Sequence, residues 1–512
     1  MRRSNMFSLG QGRFSILVLL LAAVPGTAGA AEMTSAFAAY QGRDYARAAA
    51  ELFEVSQKDP SLPNRQQAEF LLGKSLQELG YYVPALAYYR SVIYAGKTHP
   101  SHKEAWTQLI DLARLLKDDF IIPAIVNARY DADADTLGSL DADRILAINY
   151  MIGALSYRQT KFDTAYEFLG SIKVSNPYYY LRARYLMGVV RIRKQDNKGA
   201  TALFDEVINA VHEDDEDEEH QSLKNLATLG KARANYALGD FKASTEAYRS
   251  VPRFSAEWYD ALFENAWSYF MAEDYGRALG EIESVLSPYF NKRFRAEAYV
   301  LAATIYYSNC QFDRTRGMLD AFKERYESAL EKLNAYVASE RKNTDFYKDL
   351  VNTADAIPVE ILRQVRRNGR FLNYHRIISE INREQEMLGR ADNWRSTSLR
   401  GELEGILKDQ NETFESYTGG WVKSQLKNQA SVLNQFVNNA RLIKFETATS
   451  EKEVLEAGGE IAGMKRKRLP RPDIPDDQHQ HWNFKGEYWV DEVGYYVHSV
   501  RKECVEAGVA AQ

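Results

Sequence analysis

The residues best equipped for chemistry in this 512-residue chain are a few acidic clusters, scattered histidines and two cysteines. Asp131, Asp133 and Asp135 alternate with alanines, the spacing with which a calcium-binding loop begins. The rest of such a loop is missing: Thr136 stands where the sharp turn needs Gly, and Ala142 where a bidentate Glu closes the shell. The run therefore reads as an acidic turn, with calcium the lesser alternative. Asp476, Asp477, His479, His481 and His498 are the types that zinc takes. Most lie in a proline-rich stretch with nothing to orient the imidazoles, so no metal site is expected. Asn411-Glu412-Thr413 has the form of a glycosylation acceptor but falls within a helical pattern. No P-loop, G-x-S-x-G, H-E-x-x-H or dinucleotide fingerprint is present. The sequence thus assigns no catalytic residue, no metal ligand and no cofactor.

Cys310 and Cys504 are the only cysteines, too few for a disulfide scaffold or a Cys-rich metal site. Near the N-terminus, Arg2, Arg3 and Arg13 precede an apolar run from Ile16 to Val24, then Pro25 and Ala28-Gly29-Ala30. This is the pattern of an export signal over residues 1–30, cut between Ala30 and Ala31. The run falls short of the roughly 20 apolar residues that span a bilayer; an uncleaved anchor is the alternative. Cleavage removes three Arg and no acid, taking the net charge from −5 to −8. An acidic chain without a basic stripe is a poor nucleic-acid binder. No later segment is apolar enough to cross a membrane.

Internal repeats supply the frame. The segment 71–92 carries Leu72-Gly73, Leu76, Gly80, Tyr82, Ala85, Tyr89 and Val92. Small Gly73 and Ala85 let two helices cross closely, with Tyr82 and Tyr89 filling the space beside the crossing. Ala48, Ala165, Ala200, Ser244, Ala278 and Thr315 repeat the position of Ala85 with the same aromatic and aliphatic neighbours, and a worn copy sits around Trp106, Phe120 and Pro123. Anchored at 48, 85, 123, 165, 200, 244, 278 and 315, the copies step by 37, 38, 42, 35, 44, 34 and 37 residues. The two longest steps hold the acidic stretches Asp131 to Asp135 and Glu213 to Glu219. Eight copies in one phase over residues 33–326 resemble the tetratricopeptide-repeat (TPR) family. The resemblance implies an all-α chain, with a right-handed helical solenoid of about eight hairpins over 31–326 whose concave groove binds protein partners.

Residues 327–456 stay helical without the repeat phase. Pro358 opens a helix with Ile361, Leu362, Val365, Ile377, Ile378 and Ile381 on its apolar face. Leu426, Ala430, Leu433, Val437 and Ala440 step by four and three, which predicts a coiled-coil-like hairpin. Gly419-Gly420 marks either a break or a close helix approach. The seam packs on the last repeat or pairs two copies through 426–440. Residues 457–481 form a linker with the basic run Lys465 to Arg468 and three prolines. The tail, 482–512, holds Trp482, Phe484, Tyr488, Trp489, Tyr495 and Tyr496, too many aromatics to leave in water, and docks on the array or on a partner. Cys310 stands in the eighth turn, where other copies have Gly80 and Gly239. Docking of the tail in cis would bring Cys504 to it; otherwise the two thiols are unrelated.

The expected function follows from the resemblance: a protein-binding scaffold, not an enzyme, in the periplasm of a Gram-negative bacterium and serving an envelope assembly. The phrases Ser287-Pro288-Tyr289-Phe290, Ile305 to Cys310 and Gly486-Glu487-Tyr488-Trp489 look similar to deltaproteobacterial TPR proteins, some of them in gliding-motility machinery. The alternatives are a cell-wall enzyme using the array as a targeting arm and a peptidoglycan-binding module.

Overall fold

The computed structural model describes residues 28–59, 61–174, 176–212, 215–353, 355–456 and 488–504, with the backbone alone for 28–31. The expected export signal up to residue 27, the linker 457–481 and the ends of the tail lie outside these residues, as do Asp476, Asp477, His479 and His481. Ala30 and Ala31 fall in the first turn of α1 (Ala28–Gln41).

Helices pair in order: α1 with α2 (Tyr45–Lys58), α3 (Leu62–Glu78) with α4 (Tyr82–Ala95), and α5 (His102–Leu116) with α6 (Ile121–Arg129). After the short α7 (Ala134–Gly138) come α8 (Ala142–Arg158) with α9 (Phe162–Gly170), and α10 (Pro177–Arg193) with α11 (Asn197–Ala210). Then follow α12 (Glu218–Ala237) with α13 (Phe241–Arg249), α14 (Trp258–Met271) with α15 (Tyr275–Leu286), and α16 (Ala296–Ser308) with α17 (Phe312–Ala338). These eight hairpins stack into an all-α solenoid, and the described residues contain no strand.

The turns inside the hairpins share one geometry. Arg43, Gly80, Lys117, Thr160, Gln195, Gly239, Glu273 and Cys310 each take a positive φ there. Glycine does so freely, whereas a side chain costs roughly 1–2 kcal/mol. Aspartate commonly follows. Asp44, Asp196, Asp240 and Asp274 accept the backbone N–H three residues on, at 3.3, 2.9, 3.0 and 3.1 Å, which offsets much of that strain. Five positions after the left-handed residue comes the anchor: Ala48, Ala85, Ala165, Ala200, Ser244, Ala278 and Thr315 are all 0% exposed. In the worn copy this register selects Ile122, also 0% exposed, and not Pro123. The turn, not the small side chain, sets the phase: Asp118 accepts from the N–H groups of Phe120, Ile121 and Ile122 at 2.8, 3.1 and 2.7 Å.

Successive hairpins interlock where small residues admit rings. A Cβ on Gly188 or Gly230 would lie 2.6 or 2.5 Å from the Phe204 ring, so Phe204 is wedged between α10 and α12. Gly73 admits Tyr89 in the same way: a Cβ there would lie 3.0 Å from its ring.

Beyond the array lie α18 (Asn343–Asn352), α19 (Val359–Arg366), α20 (Gly369–Arg390) and α21 (Ser398–Glu456). The single helix expected after Pro358 is two, because α19 ends at Arg366 and Asn368 caps α20 by accepting from Arg370 N at 3.0 Å. The seam of the coiled-coil-like hairpin expected within 327–456 lies on one unbroken helix, α21, which packs against α17, α18 and α20. At 59 residues, α21 is about 88 Å long. Gly419 is a close approach and not a break: a Cβ there would meet the Asn343 carbonyl oxygen at 1.7 Å.

One end of α21 puts Leu399, Leu403 and Leu407 into the core of the first hairpins. The other puts Val422, Leu426, Ala430, Leu433, Val437 and Ala440 into the core built by α16 to α20. The seam at 426–440 is therefore occupied within the chain, chiefly by α17 and α18, and is not a free face for a second copy.

Candidate functional site

Two attachments frame the surface that the array leaves open. The first is α20, which runs along the turns of the early hairpins. Arg383 Nη2 donates to Gly80 O at 2.8 Å, Arg376 Nη1 to Lys117 O at 3.3 Å, and Asn373 Nδ2 to Asp119 Oδ2 at 2.8 Å. Trp394 Nε1 donates to Ala46 O at 2.9 Å, and its ring sits 5.4 Å from that of Tyr81. Glu384 is the centre of this contact and is 0% exposed. Its Oε1 accepts from Tyr82 N at 2.8 Å and Val83 N at 3.1 Å. The cap residue of α4, Tyr81, has no side chain to satisfy those donors. Glu384 thus caps α4 from 300 residues away, and burial pushes its pKa up to about 8.

The second attachment is the tail, 488–504, which docks on the seventh and eighth hairpins of its own chain. Arg253 Nη2 donates to the carbonyls of Val490, Asp491 and Val493 at 3.0, 3.0 and 3.2 Å. Gly494 N donates to Ser284 Oγ at 2.8 Å and His498 N to Gly276 O at 2.9 Å. Val493, 1% exposed, enters the core of α14 to α16. Glycines on α15 make the seat. A Cβ at Gly280 would lie 1.6 Å from Tyr496 O, and one at Gly276 2.6 Å from His498 O. Farther on, Glu503 N donates to Asn309 O at 2.9 Å, and the sulfurs of Cys310 and Cys504 lie 2.06 Å apart. The sequence shows the aromatic load of the tail but not its seat; Gly276 and Gly280, four residues apart on one helix, were the available signal.

Between these attachments, α3, α5, α8, α10 and α12 pack within the array, and α18 to α21 make their main contacts on other helices. Cross-hairpin pairs stiffen this face. Arg144 Nη2 and Asp111 Oδ2 are 2.6 Å apart, Arg182 and Glu219 2.5 Å, and Arg233 holds Glu264 through two bonds of 2.6 and 2.7 Å. Arg114 Nε donates to Tyr179 Oη at 3.2 Å and stays exposed, next to Tyr178, which is 43% exposed. The surface is rich in Arg and Tyr, side chains that give protein interfaces much of their binding energy.

The acidic turn is engaged internally. Asp133, 1% exposed, pairs with Arg129 at 3.1 Å and lies 3.4 Å from His102, while Asp135 meets Lys97 at 3.2 Å. His498 stands 3.9 Å from Glu283, without the other histidines in the described residues. No group of three metal-binding side chains occurs among the described residues. Asn411 and Thr413 lie within α21, beside a wide, open hollow of about 820 Å³ lined by Glu412, Tyr417 and Trp421. No helix among the described residues is long and apolar enough to cross a membrane.

The stacked hairpins, their common turn and the phased small residues define a helical-repeat solenoid, and in these features the chain resembles tetratricopeptide-repeat proteins. No family model matches the sequence, and no curated protein does. Solved structures with a similar course include a tetratricopeptide repeat protein from Parabacteroides merdae, 17% identical, covering 58% of this chain and 93% of its own, at a TM-score of 0.26. The apo form of RapI is 11% identical over 67% of this chain and 99% of its own, at 0.35. Yeast Tom70 is 11% identical over 84% and 89%, at 0.21. Scores this low add nothing to the argument, and the fold rests on the geometry above.

Proposed function

We propose that the chain is a protein-binding scaffold that works outside the cytoplasm, in the envelope of a Gram-negative cell, and helps to hold an envelope assembly of the gliding-motility kind together. The observation that carries this reading is the face of α3, α5, α8, α10 and α12, aside from the main contacts of α18 to α21 and bounded by attachments that secure both ends of the array. Rigid, exposed Tyr and Arg on that face favour protein recognition. The pairing of Cys310 with Cys504 fits an oxidising compartment.

Crosslinking in intact cells followed by mass spectrometry tests it, comparing the wild type with Arg114→Glu and Tyr178→Ala. Tyr178 is exposed, so its substitution should keep the melting temperature within the change of about 0.5 kcal/mol that surface substitutions produce. Arg114→Glu also gives up the bonds to Tyr179 and Asp143 and is read against its own folded fraction; partner recovery should fall in both. Unchanged recovery across a scan of this face would show that the partner binds elsewhere. A chain that remains in the cytoplasmic fraction would refute the placement.

A further inference from the structure

A second, much smaller hollow lies away from the face of α3, α5, α8, α10 and α12, between the start of α14, the connector ahead of α16, and α19. It is a cleft of about 230 Å³. Lys292 and Arg293 reach it from the connector. Arg363 on α19 and Arg367 at its C-cap, four residues apart and so on one face, reach it from the other side. Four cations therefore line a space of roughly seven waters' volume.

Their counter-charges are few. Two carboxylates border the cleft, and Glu360 is already committed, accepting from Arg325 and from Tyr326 Oη at 2.9 Å. Asp260 makes no hydrogen bond or ion pair among the described residues, and burial raises its pKa against the opposing pull of Arg293 and Arg233. Arg293 donates to Ala256 O at 3.2 Å, and its guanidinium lies over the Tyr259 ring at 4.9 Å. Lys292, Arg363 and Arg367 have no side-chain partner among the described residues. Burial and the neighbouring Arg293 and Arg363 depress the pKa of Arg367, with Asp260 the one carboxylate that opposes them.

We infer that this cleft binds a compact dianion of the phosphate class, gripped between Arg363 and Arg367 on one side and Lys292 and Arg293 on the other. The guanidinium fork matches the oxygens of a tetrahedral anion and bonds them in pairs. Four cations against Asp260 as the one carboxylate not committed elsewhere leave an excess of positive charge that suits two negative charges better than one. The side-chain amides of Gln364 and Asn368, also on the wall, add neutral donors. The phosphate arrives free in solution or as a monoester on a larger molecule, since one end of the group is all that the cleft encloses.

Calorimetric titration of the full chain at fixed ionic strength tests the assignment, with inorganic phosphate, glycerol phosphate and succinate as probes. Inorganic phosphate should bind saturably at one site and raise the melting temperature, whereas matched chloride should not. The double substitution Arg363→Gln and Arg367→Gln should weaken binding at least about tenfold. Arg390→Gln, an exposed partner of Glu386 on α20, should leave it unchanged. Circular dichroism establishes that the variants fold, as expected for side chains without intramolecular bonds. Equal binding of glycerol phosphate makes the site a receptor for monoesters, and its failure restricts the site to the free ion; both keep the phosphate assignment. Lack of saturable phosphate binding, retention of it in the double variant, or succinate binding as tightly as phosphate would each overturn it.

Discussion

Substituting Gly280 by Ala tests the docking of the tail with effects of opposite sign on two parts of the molecule. Gly280 lies in the second turn of α15, where glycine is about 1 kcal/mol worse than alanine, so the array alone should gain stability. The added Cβ, however, would stand 1.6 Å from Tyr496 O, against an ordinary contact of 3.4–4 Å. The tail must lift by about 2 Å, and the obstacle is backbone, which cannot turn aside. Such a shift breaks the bonds from His498 N to Gly276 O and from Gly494 N to Ser284 Oγ. At about 1 kcal/mol each, with part of the burial of Val493, the loss comes to about 2–3 kcal/mol, or about 30-fold to 160-fold in local opening. Hydrogen exchange of the His498 and Gly494 amides reads that opening directly, in reduced protein so that the covalent link does not mask it. The expected pattern is faster exchange in 488–504 together with an unchanged or higher melting temperature for the array. Unaltered exchange at both amides would refute the seat on α15.

Four further outcomes follow from the same contacts. Cys504→Ser opens a 194-residue loop and should cost up to about 5 kcal/mol in the chain-entropy model, seen as a lower melting temperature under non-reducing conditions; free thiols at Cys310 and Cys504 in peptide maps of the wild type purified without reductant would remove the effect and the link. Glu384→Ala leaves two buried N–H groups of α4 unpaired and should cost about 1–3 kcal/mol in urea unfolding, whereas Glu384→Gln keeps an acceptor and recovers most of it. Glu281, whose pKa burial pushes up to about 8, retains its proton in the folded state at pH values where the unfolded chain has lost it. Glu281 should therefore lower stability as pH rises from about 4.5 to about 8, by at most about 1.4 kcal/mol per pH unit, with Glu384 adding a like slope, and Glu281→Gln should remove the first share and leave the second. Gly419→Ala drives a Cβ into the Asn343 carbonyl and should cost about 1–3 kcal/mol in thermal unfolding, by parting α18 from α21.

The hairpins were legible in the sequence because a repeated contact leaves a repeated residue. Ala48, Ala85 and their counterparts recur because each second helix must cross its neighbour at the same depth. The turns were only partly legible. Gly80 and Gly239 announce a left-handed residue, but Arg43, Lys117, Thr160, Gln195, Glu273 and Cys310 do the same work without the signature, and because Lys117 hides the turn the sequence phases the third hairpin on Pro123 instead of Ile122. The apolar stripe of α21 was plain, yet a stripe names no partner, and α17 and α18 take the place where a second copy was conceivable. Least legible was Glu384. It sits among charged neighbours and looks like any solvated residue, because its partners are backbone N–H groups, which carry no sequence identity.

An open solenoid is a spring: neighbouring repeats shift by small angles, and those shifts add along the stack. Here α21 fastens the first hairpins to the last, so it works as the chord of a tied arch. Angles cannot accumulate without stretching a continuous helix, whose backbone bonds all lie along the line of pull. The curvature of the hairpin stack is thereby fixed. Tension applied across the two ends is carried by a single rod while the face of α3, α5, α8, α10 and α12 keeps its shape.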